Sequence, residues 1–354
     1  GLLMAGPAEA QRRQVPYYAS IAQAKARMRT GPGTPNVYAL NRRPSFTGDG
    51  KTDLIVYRPT QNTWYRINSI GLTSFRQFGS SGDKPVTGDF DGDGASDVMG
   101  RLSNGDLYLY PGNGHGGWLT PRIIGNGWNG FAEIIPAGDF DRDGDSDLVV
   151  ANVGDGSIQQ LRNNGDGSFV VWPPQIVGAS PEAIAAGDLN GDGNTDLVVA
   201  NRYPAPATGR LQILLNDGTG TLRAPLNQLD TGVEPVGLAL GDFNTDGRPD
   251  IAVANRAPMI FGGNDYRVSL FFNQGAGVFI DRGTGALLLP VCKQPTNVLL
   301  ADVNNNGLDD LIVSCTGEDK LQIWDNSGDL NVRDYPLPTD GSPRNISLMD
   351  LNGD

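Results

Sequence analysis

The 354-residue chain has one histidine and two cysteines. It holds no His-Glu-x-x-His pair, no Walker-type phosphate loop and no Gly-x-Ser-x-Gly elbow, so the common frameworks for metalloprotease, nucleotide and acyl-transfer chemistry are missing. The lone His115 sits in a Gly-rich GNGHGGW turn and reads as an exposed turn residue rather than a catalytic base. Basic residues are also short: 27 Lys and Arg against 40 Asp and Glu leave a formal charge of −13. That balance argues against nucleic acid as a partner and favours cations. No stretch approaches the roughly 18 apolar residues of a membrane-spanning helix.

Glycine, by contrast, is abundant at 49 residues, with 24 prolines. Such a composition suits many short strands joined by tight turns. One pattern recurs along the chain: Gly-Asp-apolar-Asp/Asn-x-Asp/Asn-Gly-x-x-Asp, followed by a short apolar strand. The copies are GDFDGDGASDVMG, GDFDRDGDSDLVVAN, GDLNGDGNTDLVVAN, GDFNTDGRPDIAVAN and ADVNNNGLDDLIVS. A degenerate SFTGDGKTDLIVY precedes them and a shortened MDLNGD ends the chain. Their spacing, about 44 to 60 residues, is that of one four-stranded propeller blade. In the copy around residue 188, strands are expected at 183–186, 196–200 and 211–215, with a less regular segment near 222–229. The expected fold is all-β: a β-propeller of six full four-stranded repeats plus a truncated seventh. The ring is either six-bladed and closed by the C-terminal strand, or a fragment of a seven-bladed one.

These motifs resemble the FG-GAP and VCBS repeats, which implies a calcium-binding propeller like that of integrin α-subunits. The resemblance covers about residues 44–354. VYRPTQNTWYRIN, LYLYPGNGHGGW and the turns NNGDGSF and NDGTGTL resemble different subtypes of the repeat. The segment ASIAQAKARMRTGPG resembles the opening of a bacterial SH3 domain but is too short to build one. Residues 1–35 are therefore read as a leader with a partial SH3-like stub, and residues 36–354 as the propeller. Within the leader, Ala8-Glu9-Ala10 before Gln11 fits the small-x-small cleavage pattern of an export signal, so a secreted or cell-surface location is expected.

The chemistry of the loop follows from hard-cation coordination. Calcium takes six to eight oxygens, and an alternating Asp-x-Asp-x-Asp run turns three side chains toward one centre. The glycine at position six permits the sharp turn, a backbone carbonyl follows at position seven, and the Asp at position nine closes the shell. The strongest candidate Ca2+ ligands are Asp89, Asp91, Asp93 and Asp97, and Asp139, Asp141, Asp143 and Asp147. Next come Asp188, Asn190, Asp192 and Asp196, and Asp242, Asn244, Asp246 and Asp250. Asp302, Asn304, Asn306 and Asp310 carry two formal charges and are expected to bind most weakly. The terminal copies are each incomplete; Asp350, Asn352 and Asp354 joined with Asp53 would form a composite site, although Asp49 already occupies the place Asp354 would take. Asp, Asn and Gly also make ordinary turns, but bare carboxylates crowded in one loop repel, which turn formation leaves unexplained. Between the ligands, Phe90, Phe140, Leu189, Phe243, Val303 and Leu351 at position two are expected to face the core.

Cys292 and Cys315 permit one disulfide or remain two thiols. They flank a hairpin centred near residue 306, which would set Cys315 opposite about residue 297. Trp64, Tyr65, Trp118, Trp128 and Trp172 fall at strand edges or turns, where aromatic faces suit sugars or flat protein surfaces; Trp118 and Trp128, ringed by Gly, are the leading ligand contacts. Three function classes are open: a non-enzymatic recognition or adhesion module for glycan or protein, a structural or display propeller joined to another domain, and a calcium-dependent polysaccharide-active enzyme.

Overall fold

The computed structural model describes residues 54–58, 63–67, 73–77 and 86–336, apart from 94, 96, 102–104, 114–117, 127–130, 204–206, 224–227, 258–265, 281–286, 304–305, 319 and 328–330. Every named element is a β-strand. The leader, Leu351, Trp128, His115 and the proposed terminal composite site lie outside the described residues.

Among the described residues the strands form six antiparallel sheets, each a meander of consecutive strands. The first has three strands, Leu54–Arg58, Thr63–Ile67 and Thr73–Gln77. The second is Val86–Gly88, Asp97–Arg101, Leu107–Tyr110 and Arg122–Gly125. The remaining four begin at Phe131, Pro181, Pro235 and Pro295. Around residue 188 the observed strands are Pro181–Gly187, Asp196–Asn201 and Arg210–Asn216. The expected irregular segment is an outer strand in two pieces, Leu222–Arg223 and Gln228–Asp230, both paired with Arg210–Asn216. Short broken outer strands leave little continuous edge for another chain to pair with.

Hydrophobic patterning explains the stacking. The second strands Asp147–Asn152, Asp196–Asn201, Asp250–Asn255 and Asp310–Cys315 are buried at every residue. A strand buried on both faces needs a sheet on each side, and the four apolar clusters lie between successive sheets. Phe140, for example, leaves the sheet begun at Phe131 and packs among Ile184, Leu197 and Leu214 of the next. Burying one such ring is worth about 1.5–3 kcal/mol. Repeated four-stranded antiparallel sheets stacked in this way are the blades of a β-propeller.

Two expectations need correction. Val303 is 37% exposed, whereas Phe90, Phe140, Leu189 and Phe243 are all buried. The buried four each enter the following sheet, and no sheet follows that of Val303 among the described residues. Cys315 pairs in register with Pro295, not residue 297, because a bulge between Pro295 and Asn297 shifts the ladder. That shift accompanies a Cys292–Cys315 disulfide with Cα atoms 5.8 Å apart.

Candidate metal centres

Each Asp-rich loop joins the first strand of its sheet to the second, and its position-nine Asp is the first residue of the second strand. That placement buries Asp97, Asp147, Asp196, Asp250 and Asp310. Their carboxylates are held by backbone N–H groups. Phe90 donates to Asp97 Oδ2 at 2.9 Å and Gly112 to Oδ1 at 2.8 Å. Phe140 and Asn163 donate in the same way to Asp147, both at 2.8 Å. Burial pushes Asp97, Asp147, Asp196 and Asp250 up to about 7, against the opposing pull of these N–H groups.

The loop backbone turns through left-handed residues at two places. Position six is glycine with positive φ at Gly144, Gly193, Gly247 and Gly307. Position four is also left-handed, at Gly92, Arg142, Gly191 and Thr245, which the sequence pattern did not reveal. At position five, Asp93, Asp143, Asp192, Asp246 and Asn306 each accept the N–H two residues on, so one oxygen caps the turn.

The loops then divide. In the first, Asp89, Asp91 and Asp97 bring one carboxylate oxygen each within 4.8 Å of one another; in the second, Asp139, Asp141 and Asp147 do the same. Asp93 and Asp143 are outside these groups. Burial, then the neighbouring Asp143 and Asp141 carboxylates, raises Asp139 above the usual carboxylate range, while backbone N–H groups oppose the shift. Asp139 Oδ1 and Asp141 Oδ1 are buried and accept no hydrogen bond. Two buried, unbonded carboxylate oxygens beside a third carboxylate offer the oxygen donors that a hard divalent cation takes.

Gly144 and Arg142 N–H groups bind Asp139 in the second loop, and in the other three loops the position-one Asp likewise meets its own loop backbone. Asp188 accepts Gly191 and Gly193 N–H, Asp242 accepts Asp246 and Gly247, and Asp302 accepts Asn306 and Gly307. Position three is Asn in these loops, and no threefold acidic group forms there among the described residues. Asn190 and Asn244 instead donate to Asp192 and Asp246. Asn304, Asp49, Asp53, Asp350, Asn352 and Asp354 lie outside the described residues.

Three features escaped the sequence pattern. Arg162 pairs with Asp141 at 2.9 Å, lies over the Trp172 ring at 3.0 Å and donates to Thr219 O of the next sheet. Trp172 is thereby engaged in packing. Asp309, buried at position eight, accepts Asp242 N–H of the preceding sheet at 2.9 Å. Asn163, Asn216, Asn273 and Asn326 donate their backbone N–H to the position-nine Asp of their own sheets. Trp118 is half-buried and bridges to Gly112.

Comparison with solved structures gives several similar chains. An Agrocybe aegerita lectin, described as recognising non-reducing terminal N-acetylglucosamine, is 19% identical, with a TM-score of 0.56 over 82% of this chain and 78% of the lectin. BBS1N in complex with ARL6DN is 17% identical, with a TM-score of 0.54 over 87% and 83%. Virginiamycin B lyase from Staphylococcus aureus is 12% identical, with a TM-score of 0.50 over 82% of each chain. At these identities the likeness is one of fold. No curated protein matches the sequence. Among the described residues, no helix is long and apolar enough to cross a membrane. The FG-GAP-like repeat model matches residues 46–100, 89–150, 139–199, 188–253 and 302–354, and the chain belongs to that repeat family.

Proposed function

We propose that this chain is a calcium-stabilised, exported recognition propeller that binds a glycan or a protein without transforming it. The observation that carries the metal reading is the pair of buried, unbonded oxygens of Asp139 and Asp141 beside Asp147. The Asp89 loop repeats the three-carboxylate arrangement. In the first two loops the ligands would be Asp89, Asp91 and Asp97, and Asp139, Asp141 and Asp147, with Asp93 and Asp143 offering their remaining oxygen. In the other loops Asp188, Asp192, Asp196, Asp242, Asp246, Asp250, Asp302 and Asp310 would have to release backbone N–H groups or accept metal on lone pairs left over. Calcium, when bound, supplies positive charge that offsets carboxylate repulsion and ties the loop together.

Export is supported by the Cys292–Cys315 disulfide, a bond that persists in oxidising compartments. A recognition role is supported by the fold, since the similar lectin binds a sugar and BBS1N a protein. Carboxylates held by calcium or by backbone N–H groups are not free to serve as acid and base, which favours binding over catalysis at these loops. The test is a glycan array probed with calcium-loaded and chelated protein. Calcium-dependent binding of a defined glycan class supports the reading; turnover of acidic polysaccharide would replace it with an enzymatic one.

A further inference from the structure

Four asparagines occupy the end of the third strand in successive sheets: Asn163, Asn216, Asn273 and Asn326 stand at or beside the last paired residue. Each reaches two metal loops at once. Its backbone N–H binds the position-nine Asp of its own sheet, at 2.8 Å for Asn163 on Asp147, 2.8 Å for Asn216 on Asp196, 2.9 Å for Asn273 on Asp250 and 2.8 Å for Asn326 on Asp310. Its side-chain Nδ2 donates to the position-two carbonyl of the preceding loop. Those distances are 2.9 Å to Phe90, 2.7 Å to Phe140, 3.0 Å to Leu189 and 2.6 Å to Phe243.

The chain of bonds continues through the position-two peptide itself. Phe90, Phe140 and Leu189 donate their own N–H to Oδ2 of Asp97, Asp147 and Asp196. In the Asp242 loop the donor is Asn244, one residue later. The path Asp97, Phe90, Asn163, Asp147, Phe140, Asn216, Asp196, Leu189, Asn273, Asp250 is therefore unbroken. It begins at Gly112, which binds Asp97 but has no side chain with which to reach further. Asn163, Asn216 and Asn273 are 2%, 2% and 0% exposed, so water does not compete for these bonds. Their Oδ1 atoms accept the turn N–H groups of Gly165, of Gly218 and Gly220, and of Gly275, which fixes the amide orientation.

We infer that these asparagines are positioning residues that couple neighbouring metal loops, so that calcium entering one loop prepares the next. The inference rests on the metal reading proposed above. Its physical basis is shared ordering: metal held by the position-nine Asp of one loop fixes the position-two peptide bonded to that Asp. The peptide carbonyl then orients the asparagine whose N–H holds the next ligand. A loop held in place by metal therefore lowers the cost of ordering the neighbouring loop bonded to the same asparagine, which makes uptake positively cooperative.

The experiment is calcium titration of the full chain after chelation, followed calorimetrically, for the wild type, Asn216→Ala, Asn216→Asp and the control Asn164→Ala. Asn164 bonds Ser168 within its own exposed turn and has no hydrogen bond to another loop among the described residues. Asn216→Asp keeps both the acceptor and the backbone N–H while removing the donor to Phe140, so it reports on the link even where the alanine variant fails to fold. The wild type and the control are expected to take up calcium with a Hill coefficient above unity. Both Asn216 variants should bind the same number of ions with a Hill coefficient clearly below that of the wild type, since the Asn163, Asn273 and Asn326 links remain, and with about fivefold weaker apparent affinity at the two loops Asn216 joins. A merely structural asparagine would lower the melting temperature and leave the cooperativity unchanged. Wild-type uptake that follows independent sites, or Asn216 variants as cooperative as the wild type, overturns the coupling alone. Absence of any uptake refutes the metal reading together with it.

Discussion

Asp147→Ala separates the two tasks that a position-nine aspartate carries. The Asp147 side chain is 1% exposed and accepts two backbone N–H groups, from Phe140 and Asn163. Truncation leaves both donors buried without an acceptor, at about 1–3 kcal/mol each, or roughly 2–6 kcal/mol together. At about 2 °C per kcal/mol for a domain of this size, the chelated variant should melt roughly 4–12 °C below chelated wild type. A second effect belongs to the metal. Calcium at millimolar concentration over a site with a Kd of 0.1–1 mM stabilises by about 1 kcal/mol, and the variant forfeits that share. Differential scanning calorimetry with chelator and with calcium measures both. An unchanged melting temperature in chelator would refute the backbone-pinning role. An equal calcium-induced rise in variant and wild type would refute the ligand role.

Asp141→Ala should reverse the weighting, since Asp141 pairs with Arg162 and accepts no backbone bond among those described; its loss should appear mainly in the calcium-dependent part of the melt. In chelator, stability should fall as pH rises from about 4 to 7. Asp97, Asp147, Asp196 and Asp250 titrate near 7 when folded and near 4 when unfolded, so the native state holds more protons across that window, and urea melts at pH 5 and pH 7.5 check the sign. Cys292→Ser should cost about 3 kcal/mol by opening a closure of sequence separation 23, seen as a lower urea midpoint in non-reducing buffer. Gly156→Ala should cost about 2 kcal/mol or more, because Gly156 has φ +70° and an added Cβ would land on the Gly178 carbonyl oxygen. A thermal melt matching wild type would refute that account.

The strand plan was legible because apolar runs such as Leu197–Ala200 and turn residues such as Asn216-Asp217-Gly218 repeat with one period. The placement of the Asp-rich loops between the first and second strands was legible for the same reason, and so was the burial of Phe90, Phe140, Leu189 and Phe243. What could not be read is what depends on the neighbouring sheet. Asn163 and Asn216 look like ordinary turn residues, and their side-chain partners lie 73 and 76 residues away. The division between the first two loops and the rest is local in origin, with Asn at position three. That a position-one Asp folds onto its own loop backbone, as Asp188 and Asp242 do, is a matter of geometry that spacing alone does not reveal. The Cys315 register was missed because a bulge adds a residue without marking itself in the sequence.

The central claim is that the Asp89 and Asp139 loops are cation sites that hold the propeller together. It is tested most directly by counting calcium bound to chelated and reloaded protein by equilibrium dialysis, with Asp91→Ala and Asp141→Ala measured alongside. The account predicts uptake at millimolar calcium or below, the loss of one ion in each variant, and a melting temperature that rises with occupancy. Uptake of no calcium at millimolar concentration, or variants that bind as many ions as the wild type, would contradict it.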